Sequence, residues 1–159
     1  MNTTDYSKYA SIAKRQVNNL PLAGFQSQCE ERQTIIVSRD KGERREHRAI
    51  NANRNRVNRY RIDGIVITSG SACDFLLINE DVLSAYFIEL KGSDLSQAAR
   101  QLESSEAALK DELSAYKLNF RIVASKARTH AIEGVTFRRF KESKKTSLKY
   151  STNRIEEDI

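Results

Sequence analysis

The sequence predicts an α/β protein with a mixed central sheet, flanked by helices and built around a strand-strand-strand-helix-strand core. Three observations support this fold class. Three apolar segments follow one another between residues 60 and 90, separated by short turn-rich connections. An amphipathic helical pattern begins directly after the third segment, and the apolar run Phe120–Ala124 then predicts a fourth core strand.

The chain before this core contains one helical pattern and one strand pattern. From Tyr6 to Leu20, apolar side chains fall near a 3.6-residue spacing, and Pro21 ends the pattern. The β-branched run Thr34–Val37 predicts a short strand. Residues 41–56 alternate helix formers with turn formers, so a helix and an ordered loop are both open there.

The three predicted strands of the core are Tyr60–Ile67, Asp74–Ile78 and Ala85–Leu90. Turn-forming residues at 68–71 and 79–81 connect them. Connections this short favour an antiparallel meander, because parallel strands need a longer crossover.

The predicted helix of the core begins at a capping motif. Asp94 is placed to act as N-cap and Gln97 as its N3 partner. Apolar side chains then recur at helical spacing as far as Tyr116, with an interruption at Ser104-Ser105. One apolar face is therefore expected to pack on the sheet.

Beyond the core, Val135–Phe140 alternates and predicts a fifth, more exposed strand. The tail from Lys144 onward is charged and specifies structure only weakly. We expect a single domain over residues 1–159, which is long enough to bury an adequate core. Its three parts are a helical and basic N-terminal segment 1–58, a core at about 59–125 and a basic C-terminal part 126–159.

The composition, 39% hydrophobic and 30% charged, is typical of a globular protein without a membrane partner. No apolar run approaches the ~20 residues of a membrane span, and no signal-peptide pattern is visible. Cys29 and Cys73 make no disulfide framework, so a cytoplasmic location is expected. His47, expected on the surface, and His130, expected in a loop, leave little material for a zinc site.

Positive charge is concentrated in one stretch of the chain. Residues 39–61 contain nine basic and three acidic side chains, a difference equal to the net charge of the whole chain, +6. A second basic run covers residues 138–149. Arginine-rich stretches suit phosphate contacts, although a solvated surface or an acidic protein partner would also account for them.

Two acids and a lysine lie at the ends of neighbouring predicted strands. Asp74 opens the second strand, and Glu89 and Lys91 close the third. If these strands pair antiparallel, Asp74 lies beside Glu89 and Lys91. Side chains alternate along a strand, so Glu89 and Lys91 should share a face while Leu90 points into the core. A carboxylate pair that binds Mg²⁺ beside an ammonium group is the minimal equipment for hydrolysing a phosphodiester.

This arrangement resembles the PD-(D/E)XK nuclease superfamily, which includes restriction endonucleases, Holliday junction resolvases and RecB-type nucleases. The resemblance covers roughly residues 60–124, with Asp74 at a strand start, Glu89-Leu90-Lys91 at a strand end and a helix directly after. Cys73 stands where the family name has proline, a position that varies in the superfamily.

The resemblance implies a role for each of these residues. Asp74 and Glu89 would bind Mg²⁺ or Mn²⁺, and Leu90 would contribute its backbone carbonyl. Lys91 would orient or activate the attacking water and stabilise charge on the phosphate.

The resemblance also suggests further candidates. Glu46 or Glu43 could be the acid that many members supply from an N-terminal helix, although an ordinary surface acid among arginines fits each of them better. Gln101 matches the glutamine of RecB-type members, but Ser105 stands where their tyrosine would be.

The predicted function is that of a metal-dependent endonuclease of the resolvase or restriction type, with DNA favoured over RNA as substrate. A homodimer and a regulatory or immunity protein are the further partners that such enzymes suggest. Eight basic residues are the predicted nucleic-acid contacts: Arg44, Arg45, Arg48, Arg54, Arg56, Arg59, Lys144 and Lys145.

The alternative is a catalytically weak or inactive module of the same fold that binds nucleic acid or a protein partner, for example in a toxin or phage-defence system. The acids and the lysine could also simply solvate the edge of a sheet. Asp63 could be a third metal-binding acid, but an acid at a strand bend that pairs with an arginine fits it better. Cys73 is expected to be a small buried residue rather than a nucleophile.

Overall fold

The computed structural model describes residues 20–126 and 134–159, and every element below lies in those ranges. The predicted helix from Tyr6 lies outside them except for Leu20, and His130 lies outside them as well. The helices are α1 (Leu95–Leu109) and α2 (Val135–Lys144). The strands are β1 (Ile35–Ser38), β2 (Glu46–Ile50), β3 (Val57–Arg61), β4 (Phe75–Asn79), β5 (Ser84–Lys91), β6 (Lys117–Ala124), β7 (Leu148–Thr152) and β8 (Arg154–Asp158).

A five-stranded mixed sheet with the order β3-β4-β5-β6-β7 forms the centre of the protein. Strands β3, β4 and β5 form the predicted antiparallel meander. Helix α1 then crosses over so that β6 pairs parallel to β5, and β7 pairs parallel to β6. The predicted α/β class, mixed sheet and strand-strand-strand-helix-strand order are therefore confirmed.

A second, three-stranded sheet with the order β1-β2-β8 was not predicted. Strand β1 corresponds to the predicted strand at Thr34–Val37, but β2 lies in the region where a helix or a loop was expected. Strand β8, like β7, lies in the tail that looked weakly specified. Because β2 pairs in parallel with β8, residues 46–50 and 154–158 join the N-terminal segment to the C-terminal part.

The two faces of the central sheet are covered differently. Helices α1 and α2 pack on one face, around a core that includes Leu76, Phe87 and Phe120. The small sheet covers the other face, and Ile36 and Ile88 lie in the core between the two sheets. No helix within residues 20–126 and 134–159 is long and apolar enough to cross a membrane.

The prediction of a strand at Val135–Phe140 is wrong, because these residues begin α2. Phe137 and Phe140 are fully buried and lie three residues apart, which is the spacing of one helical face. Val135, which produced the apparent alternation, is 55% exposed. Basic side chains in the last turn further favour a helix, since they interact well with its negative end.

The first core strand is shorter than predicted and ends at Arg61. The chain then turns, and the carbonyl of Ile62 accepts backbone hydrogen bonds from Ile65, Val66 and Ile67. Gly64 has a φ of +80° in this turn, a conformation that glycine adopts without steric cost. Asp63 consequently lies in a turn at the end of β3 rather than within a strand.

Helix α1 begins where the capping motif predicted it, with Asp94 Oδ1 accepting a hydrogen bond of 2.9 Å from the backbone of Gln97. It continues through the serine pair that looked like an interruption and ends at Leu109, short of Tyr116. Ser105 is tolerated inside the helix because its hydroxyl donates to the carbonyl of Gln101.

A buried charge network fastens the two sheets to each other. Glu157 on β8 accepts hydrogen bonds from Arg121 on β6 at 2.6 and 3.0 Å and from Lys149 on β7 at 2.8 Å. Its Oε1 also lies 2.8 Å from Nε2 of His47. His47 is fully buried, so its prediction as a surface residue is wrong.

The network should make Glu157 a large contributor to stability. Burial alone would raise the pKa of Glu157, but hydrogen bonds from His47, Arg121 and Lys149 outweigh it and hold the pKa well below its usual range. The carboxylate therefore stabilises the fold above the ordinary glutamate pKa, and this contribution is lost as the pH falls towards the lowered value.

We expect Glu157→Gln to lower the free energy of unfolding at pH 7 by about 3 kcal/mol, since it leaves the Arg121 charge buried without a counter-ion. Urea denaturation measures the change. Glu156→Gln is the matched control, because its side chain is 51% exposed and its pairing with Arg48 should contribute less than about 1 kcal/mol. Equal effects of the two substitutions would contradict the role of the network.

Candidate metal-binding and catalytic site

The predicted acid pair lies where β4 begins and β5 ends. Phe75 pairs with Ile88 in the antiparallel register, so one residue further along the two strands Asp74 comes opposite Glu89. The juxtaposition that the sequence predicted is thus present. Strand β3 ends at the same edge, and the backbone N–H of Ile62 donates to the carbonyl of Asp74 at 2.9 Å.

The alternation along β5 places Glu89 and Lys91 on the helix-covered face of the sheet. Phe87, which lies two residues before Glu89 and so points to the same face, is part of the core beneath the helices. Leu90 and Ile88 belong instead to the core between the two sheets. The predicted inward orientation of Leu90 is therefore confirmed.

One carboxylate oxygen of Asp74 accepts a hydrogen bond, and the other faces the positive charge of an arginine. Its Oδ2 accepts a hydrogen bond of 2.8 Å from the backbone N–H of Leu90. Its Oδ1 lies 3.9 Å from Nη2 of Arg61. Burial raises the pKa of Asp74, the Leu90 hydrogen bond and Arg61 oppose this, and the charges of Asp40 and Asp63 add to it.

The backbone of Leu90 is oriented towards Asp74. In an antiparallel pair, the N–H and C=O of one residue lie on the same edge of its strand. The Leu90 N–H reaches the Asp74 carboxylate, so the Leu90 carbonyl lies on that edge as well. The carbonyl of Lys91 lies on the opposite edge, where it accepts from the backbone of Ser125 at 3.1 Å.

Glu89 is the most deeply buried acid of the site, with 1% of its surface exposed. Its Oε2 is buried and has no hydrogen-bond partner among the described residues. Burial and, next, the charge of Asp74 raise the pKa of Glu89 to about 8, although Lys91 acts in the opposite direction. An unpaired buried carboxylate oxygen is costly, which makes Glu89 a candidate for binding an external ligand.

These ligand types fit a hard divalent cation. Mg²⁺ prefers oxygen ligands, keeps several of its waters and is often bound through one or two carboxylates. The free oxygens of Asp74 and Glu89, together with the Leu90 carbonyl, are the candidate ligands for such a cation. No group of three or more His, Cys, Asp or Glu side chains that could hold a metal occurs in the described part of the chain. The protein would therefore supply only part of an octahedral shell.

The loop between β1 and β2 brings part of the basic stretch to this site. Asp40, near its start, pairs with Arg61. Near the loop's end, Nη1 of Arg45 lies 3.7 Å from the position that a Cβ on Gly92 would occupy. Gly92 follows Lys91 directly, so the Arg45 guanidinium borders the predicted site.

Helix α1 holds the segment that leads into Asp74. The side-chain amide of Gln101 donates to the carbonyl of Ala72 at 3.3 Å, and the Ser105 hydroxyl accepts from the backbone of Cys73 at 2.8 Å. Gln101 is thus close to the site through the backbone of Ala72. The contact of Ser105 with Cys73 was not predicted, because the resemblance implied only that a tyrosine is absent at this position.

Cys73 has the expected character of a small buried residue. It is completely buried, and burial raises the pKa of its thiol to about 12. A thiol with this pKa is not a nucleophile at neutral pH.

Glu46 has contacts of a different kind. Its carboxylate lies 2.7 Å from Arg154 and 3.6 Å from Arg39, and the side chain is 7% exposed. Two arginines therefore satisfy its charge. Asp40 and Asp63 are the other acids whose charges act on Asp74. The sequence pattern did not single out Asp40, because only the pairing of the loop with Arg61 brings it there.

The remaining predicted nucleic-acid contacts are distributed over several surfaces. Arg44 is exposed in the loop that borders the site. Arg48 lies on β2, where it pairs with Glu156 at 3.2 Å. Arg59 is held internally, donating to the backbone carbonyls of Val37 and Gln28.

The other four lie elsewhere. Arg54 and Arg56 are at the opposite end of the central sheet, where the backbone of Arg56 donates to Asp81 in the turn between β4 and β5. Lys144 pairs with Glu106 of α1, whereas Lys145 is exposed.

No family model, curated protein or solved structure matches this chain.

The buried carboxylate of Glu89 should reduce the stability of the metal-free protein. Because the folded state raises its pKa, stability decreases as the pH rises from the ordinary glutamate value of about 4.3 to about 8. In the presence of a chelator, Glu89→Gln should raise the free energy of unfolding at pH 8 by at least about 1 kcal/mol. The gain should largely vanish at pH 4.

Urea denaturation at the two pH values measures this difference. Glu103→Gln, on the exposed side of α1, is the control and should change stability little at either pH. A Glu89→Gln variant that is less stable than the unsubstituted protein at pH 8 would contradict the cost assigned to burying this carboxylate.

Proposed function

We propose that the protein is a metal-dependent nuclease that hydrolyses phosphodiester bonds of DNA, related in its chemistry to the PD-(D/E)XK enzymes. The observation that carries the proposal is the buried, unpartnered Oε2 of Glu89 beside the carboxylate of Asp74. A site that keeps such an oxygen without a protein partner is suited to an external cation.

The fold is compatible with this proposal. The order β3-β4-β5-α1-β6 is the one that the resemblance implies for a restriction-endonuclease-like core. The acids lie at the ends of the second and third strands of that core, as the same resemblance requires. The three-stranded sheet on the other face is an addition to it.

In the proposed mechanism, Oδ1 of Asp74, Oε2 of Glu89 and the Leu90 carbonyl would hold Mg²⁺ or Mn²⁺. The cation would polarise the phosphodiester and increase the acidity of a water molecule. Asp74 is pre-oriented because its other oxygen is fixed by the Leu90 N–H. Lys91, on the same face as Glu89, orients the attacking water and stabilises the negative charge that grows on the phosphate.

The reaction is a hydrolysis and needs no further reactant. The water oxygen forms a bond to phosphorus, the bond from phosphorus to the leaving oxygen breaks, and the proton lost by the water ends on the solvent or on the leaving group. Water reaches the site because Lys91 and Gly92, at its border, are partly exposed.

The basic rim of the site favours a polymeric substrate over a small phosphate ester. Arg44 is exposed in the bordering loop, and Nη1 of Arg45 lies 3.7 Å from the position that a Cβ on Gly92 would occupy. Such contacts follow a nucleic-acid backbone without reading its sequence. Homodimerisation and control by an immunity protein remain predictions of the resemblance.

A second candidate is a binding module without catalysis. It is favoured by the position of Arg61, which gives Asp74 a counter-ion within the protein at 3.9 Å even when no cation is bound. Such a protein would bind nucleic acid and leave it intact.

We expect the purified protein to cut DNA in the presence of Mg²⁺ or Mn²⁺, and we expect cleavage to stop when a chelator is added. Supercoiled, linear, branched and single-stranded DNA, with an RNA of matched sequence, are the substrates for a gel assay. Glu89→Gln and Lys91→Ala should each reduce the rate by about a hundredfold or more, as removal of a charge-stabilising catalytic group does.

Two exposed residues of the α1 region provide matched controls, Glu103→Gln and Lys110→Ala. Both should cut at the rate of the unsubstituted protein. Cleavage that persists in a chelator or in Glu89→Gln would contradict the proposal. Salt-sensitive binding without any cutting would establish the binding module instead.

A further inference from the structure

We propose that Arg61 couples cation binding to phosphodiester binding, so that the metal is held weakly until nucleic acid arrives. This inference rests on the proposed function. It assigns a positioning role to a residue that the superfamily resemblance did not mark.

Arg61 is held at the edge of the site by two contacts. It is the last residue of β3, paired with Phe75, and its guanidinium carbon lies 4.9 Å from the centre of the Phe75 ring. Its Nη1 donates to Asp40 in the loop between β1 and β2. These contacts define the direction in which the rest of the guanidinium points.

The second terminal nitrogen, Nη2, faces Asp74. It lies 3.9 Å from Oδ1, which is too far for a hydrogen bond but close enough for a strong charge interaction. Oδ2 is already bonded to Leu90, so Oδ1 is the oxygen left for a cation. The arginine therefore stands beside the same oxygen that the proposed cation needs.

The charges around this point explain the coupling. Without ligands, Arg61 is compensated by Asp40 on one side and Asp74 on the other. A divalent cation on Asp74 would meet the positive charge of Arg61, which weakens its binding. A phosphate group bound to the cation would supply negative charge to the cation and to Arg61. The planar guanidinium of an arginine is well suited to donating hydrogen bonds to phosphate oxygens.

Arg59, the other arginine of β3 near the Phe75 ring, does not face Asp74. Arg59 also lies over Phe75, at 5.6 Å, but its guanidinium is occupied by the carbonyls of Val37 and Gln28. Arg61 has a side chain that is 32% exposed and can move towards a ligand. By linkage, whatever factor nucleic acid adds to metal affinity, the metal adds to nucleic-acid affinity.

Mn²⁺ affinity, measured by calorimetry with and without a saturating DNA duplex, tests this coupling. All proteins carry Lys91→Ala, so that the duplex persists. Adding Arg61→Gln should tighten the binding of Mn²⁺ alone by about fivefold or more and reduce the enhancement by the duplex by a similar factor. Arg61→Lys, which keeps the charge, should retain the weak affinity for Mn²⁺ alone but lose part of the enhancement.

Arg32→Gln is the charge-matched control, because Arg32 lies at the other end of the sheet near Asp81. It should behave as the Lys91→Ala parent in both titrations. If the parent binds Mn²⁺ and Arg61→Gln matches Arg32→Gln, the coupling is overturned while the metal site stands. If the parent binds no Mn²⁺ with or without the duplex, both the proposed function and the coupling fail. Should Arg61→Gln not fold, an Arg61→Lys variant with undiminished enhancement would overturn the coupling.

Discussion

A carboxylate that is buried without a partner for one of its oxygens lies at one end of the central sheet, and the elements around it hold its neighbours in place. Glu89 is 1% exposed, and its Oε2 has no hydrogen-bond partner in the described part of the chain. Folding must overcome the cost of this burial, and the pKa of about 8 reflects that cost. An arrangement of this kind persists when the site serves a ligand that compensates the charge.

The rest of the fold holds the neighbours of Glu89 in place. The β4–β5 register brings Asp74 opposite it, and α1 fixes the chain before Asp74 through hydrogen bonds with Gln101 and Ser105. On the other side of the central sheet, the network around Glu157 fastens the small sheet to it. That sheet in turn carries the loop whose Asp40 holds Arg61 at the site.

The core could be predicted from local sequence patterns, but the elements that depend on pairing between distant parts of the chain could not. The apolar strands β4 and β5 and the Asp94 cap are encoded over a few residues each, so the acid pair could be placed from sequence. Strand β2 was missed because its inward side chains, His47 and Ala49, do not form an apolar alternation. The partner of His47, Glu157, lies on a strand that is distant in sequence. The position of Arg61 beside Asp74 likewise depends on a turn and a loop that no local pattern fixes.

The central claim is that Asp74, Glu89 and the Leu90 carbonyl together bind a divalent cation. Crystals of the unsubstituted protein grown with Mn²⁺ and measured for anomalous scattering test it most directly. The account predicts one peak at about 2.1 Å from Glu89 Oε2, Asp74 Oδ1 and the Leu90 oxygen. A well-ordered site without a peak, with Glu89 still buried and unpartnered, would contradict it.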